Sequence, residues 1–117
     1  MNEGTDPVEA AESCLAGGEP MALLRIYQFK DDVEAHDDDL QEHLSKSFLE
    51  AFHTAASALD IAYGSHTNID VDNDFDSIPL CGVFRAASWN AAGTNLYLAA
   101  AHEDRETPYL LLISVAQ

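Results

Sequence analysis

Residues 37–63 read DDDLQEHLSKSFLEAFHTAASALDIAY, and Gly64 follows. Stepping about 100° per residue from Leu40 gathers Leu40, Leu44, Phe48, Leu49, Ala51, Phe52, Ala55, Ala56, Leu59, Ala62 and Tyr63 within one half-circle. Asp39, Glu42, His43, Lys46, Glu50, His53, Thr54 and Ser57 fall on the other side. The pattern predicts one long amphipathic helix. It begins near Asp37, where three aspartates suit the positive helix N-terminus, and it stops at Gly64. Its apolar face is too broad for a coiled-coil seam and calls for a sheet or a helix layer.

The segments on the C-terminal side supply that sheet. Residues 79–89, 94–102 and 109–116 read as a β-meander, with Asn90-Ala91-Ala92-Gly93 as a hairpin loop. The last segment, YLLLISVA, is apolar at nearly every position, which implies cover on both of its faces. Between helix and meander, Ser65–Ser77 is polar, with Ile69 and Val71 as a brief strand. On the N-terminal side, residues 21–29 (MALLRIYQF) favour a strand, with a helix opened by Pro20 as the alternative. Asp6-Pro7 opens a short helix that Gly17-Gly18 closes. The expected fold is therefore α+β: three or four antiparallel strands packed against one long helix, plus a short N-terminal helix. That short helix is expected on the other sheet face or against a partner chain. Residues 1–117 form one domain, with 1–6 flexible.

The chain carries 21 acids and five Lys or Arg, a net charge of −16. Residues 1–76 hold 18 of the acids and three bases, a net −15, whereas 77–117 hold three acids and two bases, a net −1. So few cations argue against direct nucleic-acid binding, which depends on Lys and Arg to displace counterions. No apolar run reaches membrane-spanning length. The opening residues have no signal-peptide pattern, and Cys14 and Cys81 form no disulfide framework, so a cytoplasmic protein is expected.

No stretch carries a strong catalytic or metal motif. Asp70, Asp72, Asp74 and Asp76 alternate as in a calcium loop, but Phe75 stands where such a loop needs glycine and Cys81 where it needs glutamate. Glu50 and His53 have a di-metal spacing without the second pair that chemistry needs. His36, Asp39 and His43 would form one stripe only if the helix reached back to His36. Cys81-Gly82 reads as a buried thiol. No nucleophile elbow, phosphate loop or dinucleotide fingerprint occurs. No catalytic residue, cofactor or metal ligand is expected.

The unusual feature is acid density: Asp31, Asp32, Glu34, Asp37, Asp38, Asp39 and Glu42 lie within twelve residues. Such a cluster suits a non-catalytic interaction module, an inhibitor or immunity-type protein whose carboxylates meet a basic, nucleic-acid-binding partner. Solvation without a specific role is the plain alternative. Adaptation to high salt fits the scarcity of lysine, but it should spread acid over the whole surface, and the near-neutral last third departs from that. A different function, a small-molecule-binding protein or small enzyme, would place Phe48, Phe52, Trp89 and Tyr97 around a pocket between sheet and helix. Trp89 and Tyr97 otherwise pack across the hairpin. The apolar 109–116 segment further suggests a homodimer joined through the sheet, with the carboxylates facing outward.

Overall fold

The computed structural model describes residues 6–17, 21–69, 83–91, 93–102 and 108–116. Its elements run α1 (Pro7–Leu15), β1 (Met21–Tyr27), α2 (Asp32–Ala35), α3 (Asp38–Tyr63), β2 (Thr67–Asn68), β3 (Val83–Ala91), β4 (Thr94–Ala101) and β5 (Tyr109–Ala116). The fold is α+β, with five antiparallel strands in the order β1-β5-β4-β3-β2. The extra strand beyond the expected meander is the two-residue β2. It lies just before the expected Ile69, whose N–H donates to the Ala86 carbonyl at 3.0 Å; Val71 lies outside the described residues.

α3 connects the β1 side of the sheet to the β2 side in chain order, and it packs on β5, β4 and β3 between them. At about 1.5 Å per residue it is roughly 39 Å long. Asp37 caps it, accepting from the Asp39 and Leu40 N–H groups at 3.0 and 3.2 Å. Gly64, at φ +95°, ends it. Leu44, Phe48, Phe52, Ala55, Ala56 and Leu59 are buried against β3, β4 and β5, as the periodicity requires. Glu42, Lys46, Glu50 and His53 are exposed. The apolar arc fades at the C-terminal end, where Ala62 is exposed.

α1 is capped by the Asp6 side chain on the Val8 N–H at 2.9 Å, with Pro7 at its first position. Its place corrects the expectation. α1 packs beside α3, against β5 and β1, on the same face of the sheet. The small side chains Ala10, Ala11 and Cys14 allow that close approach, and all three are buried.

β5 lies between β1 and β4, and Leu111, Leu112, Ile113 and Ser114 are buried in succession. Ile113 joins the helix-side core, with Leu24, Trp89, Leu96, Leu98 and Leu111. Leu112 joins a second cluster on the opposite face, with Ala86, Tyr97 and Ala99, flanked by Met21, Ile69, Val83 and Leu110. The β3–β4 hairpin closes where Ala91 pairs with Thr94 and Gly93 takes φ +86°. Trp89 pairs with Leu96 and Tyr97 with Ser88, so the two aromatics point to opposite faces and do not pack across the hairpin.

Candidate interaction surface

The acidic cluster occupies the corner where β1 gives way to α2 and α2 to α3. Several of its carboxylates are bound locally. The Asp31 side chain accepts from the Glu34 N–H at 2.8 Å and caps α2. Asp37 caps α3. Glu34 accepts from the Tyr27 hydroxyl at 2.6 Å and from the Lys30 N–H at 3.2 Å. That bond to Glu34 is the chief cause holding the Tyr27 phenol above its ordinary range, aided by burial and the carboxylate's charge. Glu42 lies 3.6 Å from Lys46 one turn along α3, a pair open to solvent and so weakly held.

Asp32, Asp39 and Glu42 therefore face water, and Val33, next to Asp32 in the chain, is 82% exposed. His36 caps the end of α2 and lies outside α3, so His36, Asp39 and His43 do not share a helical stripe. Among the described residues no group of three metal-ligating side chains converges. The 70–76 carboxylates and Cys81 lie outside the described residues.

Two polar links hold this corner on the sheet. One is Tyr27–Glu34, from β1 to α2. The other starts at Tyr109 on β5, buried at 2% exposure. Its hydroxyl lies 3.0 Å from Gln41 Oε1 and 2.9 Å from Ser45 Oγ, and Gln41 Nε2 donates to the Ala35 carbonyl at 2.7 Å. The Tyr109 ring stacks on His102 at 3.8 Å and meets Phe48 at 5.4 Å. These bonds fix geometry, because breaking them would strand the buried Tyr109 hydroxyl away from water. Sequence reading missed them. The available signal was Gln41 and Ser45, two polar side chains four apart inside the arc that otherwise gathers apolar ones.

A second missed cluster closes the other end of α3. Asp60 Oδ1 accepts from the His66 backbone N–H, from His66 Nδ1 and from Trp89 Nε1, each at 2.9 Å. Burial alone would raise the Asp60 pKa. The bonds from His66 and Trp89, with the His66 charge, outweigh burial and hold it below the usual carboxylate range. The signal was an acid in the last turns of a helix, where the negative end of the dipole disfavours it unless specific donors compensate. No base lies in that last turn.

Phe48, Phe52 and Trp89 lie in the helix-side core at 0%, 1% and 3% exposure, whereas Tyr97 belongs to the opposite face. The four side chains do not line one pocket. The charge split also finds a structural reason. The near-neutral segment contains β3, β4 and β5, whose residues 96–101 and 111–114 are buried. These strands are poor in charge because they are interior, and their neutrality no longer argues against salt adaptation. No helix is long and apolar enough to cross a membrane among the described residues. No protein-family model, curated protein or solved structure matches this chain.

Proposed function

We propose that the protein is a non-catalytic interaction module whose α2–α3 corner docks a basic protein partner. The observation that carries the reading is that Asp32, Asp39 and Glu42 face solvent on a corner pinned to the sheet by Tyr27–Glu34 and Tyr109–Gln41–Ala35. Carboxylates on a held backbone present a fixed charge pattern at little ordering cost, which favours selective association over loose attraction. Val33, exposed beside Asp32 in α2, adds an apolar contact next to the charge. An inhibitor or immunity-type role, in which these carboxylates occupy a phosphate-binding surface, follows from the same chemistry.

The rival is general salt adaptation, to which the interior placement of the acid-poor strands removes an objection. Stopped-flow association with a lysine-rich protein, from about 0.05 to about 0.5 M salt, separates the two. The corner variant combines Asp32→Asn, Asp39→Asn and Glu42→Gln. The control removes three exposed acids elsewhere: Glu9→Gln, Glu12→Gln and Glu50→Gln. Docking at the corner requires the first set to slow association several-fold more than the second. Equal slowing by both would defeat the module and leave a uniformly acidic surface.

A further inference from the structure

The two edges of the sheet are built differently. β2 ends one side with two residues, the short edge by which proteins avoid strand addition. β1 ends the other side with seven residues, Met21–Tyr27, containing no proline, lysine or acid. Its single charge, Arg25, turns to the helix face and lies 5.1 Å over the Phe48 ring. A register shift between Leu23 and Arg25 makes Leu24 and Arg25 share that face. Leu23 and Ile26 consequently share the other face: they pair with Leu112 and Leu110, and each is 40% exposed.

We infer that β1 is a self-pairing edge, on which a second copy of this chain adds its own β1 antiparallel about a two-fold axis. The bulge makes one register self-complementary. Directly opposite residues in an antiparallel pair project to the same face. Setting Leu23 opposite Ile26 of the second copy matches face with face along the strand: Leu24 then meets Arg25, and Ala22 meets Tyr27. The two half-exposed apolar side chains of each copy cover those of the other, and the five-stranded sheets join into one. The strip is also free of acid in a chain of net −16. A face-to-face sheet dimer is less apt, because Ala99 and Leu112 at the centre of that face are already fully buried within one chain.

A contact one strand long, about 24 Å, is at the small end of stable interfaces. The dimer should therefore depend on concentration. Because both copies are strongly negative, added salt should strengthen it, whereas salt weakens docking to a basic partner. The opposite signs keep this inference and the proposed function separable.

Light scattering coupled to size exclusion should show a mass rising from 12.7 kDa toward twice that value with concentration, and further with salt. Ile26→Glu should return a monomer with unchanged circular dichroism. In a background of Cys14→Ala and Cys81→Ala, Leu23→Cys chains mixed with Ile26→Cys chains should form a disulfide-linked dimer under mild oxidation. Either chain alone should not, since its two cysteines would stand three positions out of register, about 10 Å apart and beyond the reach of a disulfide. A 12.7 kDa species at every concentration up to about 1 mM would overturn the inference and leave the edge to a foreign strand. Leu23→Cys cross-linking to itself as fast as the mixture would overturn the register, as would a dimer indifferent to Ile26→Glu.

Discussion

The two faces of the sheet are filled by different means, and β4 shows it residue by residue. Toward the helices it presents Leu96 and Leu98, which meet Trp89, Leu111 and Ile113. Toward the other side it presents Tyr97 and Ala99, which meet Ala86 and Leu112. A helix layer stands well off a sheet, and bulky side chains must fill the gap if the interior is to reach normal packing density. The opposite face has no helix over it among the described residues, and its alanines, Ala86 and Ala99, are closed in by Tyr97, Leu112 and the flanking Met21, Ile69, Val83 and Leu110. The first face should therefore fail by cavity formation and the second by crowding.

The largest effect is expected where the helix layer has its bulkiest fully buried side chains. Phe48→Ala should cost about 3–5 kcal/mol in urea unfolding, since Phe48 is fully buried. A loss under about 1 kcal/mol would mean that α3 rests loosely on the sheet.

Neighbouring positions on β4 sharpen the contrast. Leu98→Ala should cost about 2–5 kcal/mol through the cavity it leaves. Ala99→Leu should cost about 1–3 kcal/mol through overpacking. Both residues are fully buried, so exposure cannot explain a difference between them. If Ala99→Leu were neutral, the opposite face would have spare room and the contrast would fail.

A smaller effect is expected at the C-terminal end of α3. Asp60→Asn should destabilise by about 1–2 kcal/mol at neutral pH, a value moderated by the one-third exposure of the carboxylate. The pH dependence has a definite sign. The folded Asp60 pKa lies below its ordinary value of 3.8. Its contribution is therefore fully present above that value and is lost as pH falls through the folded value. The parent chain should thus lose more stability than Asp60→Asn on acidification below about pH 4. Thermal melts across that range would show it, and parallel curves would remove Asp60 from the balance.

The smallest effect lies at the opposite end of the same helix. Asp37→Ala should cost about 1 kcal/mol by removing the cap, while Asp37→Asn should change stability by only a few tenths. Chemical denaturation of the pair checks this. Should Asp37→Ala exceed Phe48→Ala, capping rather than packing would govern α3.

The helix was legible in detail because its signals are local. A 3.6-residue period, Asp37 before the first turn and Gly64 after the last depend on the neighbouring chain alone, and the observed bounds, Asp38–Tyr63, follow them. The unbroken apolar run of residues 109–116 likewise announced a strand buried on both faces. The side of the sheet taken by α1 was not legible. Ala10, Ala11 and Cys14 say only that α1 packs closely against something, and small side chains do not encode which face receives them.

The polar links were hidden for a related reason. Tyr109 and Gln41 stand 68 positions apart, and Trp89 and Asp60 stand 29 apart. A hydrogen bond across such distances leaves no period in the chain. The charge pattern was visible from the start, but its division into capping carboxylates and exposed ones required the turns of the backbone. By itself the sequence determined the fold class, the long helix and its buried face, because periodicity and end signals are set by residues close together in the chain. Only the tertiary structure decided the shared helix layer, the polar links and which carboxylates face water, because each depends on where distant segments meet.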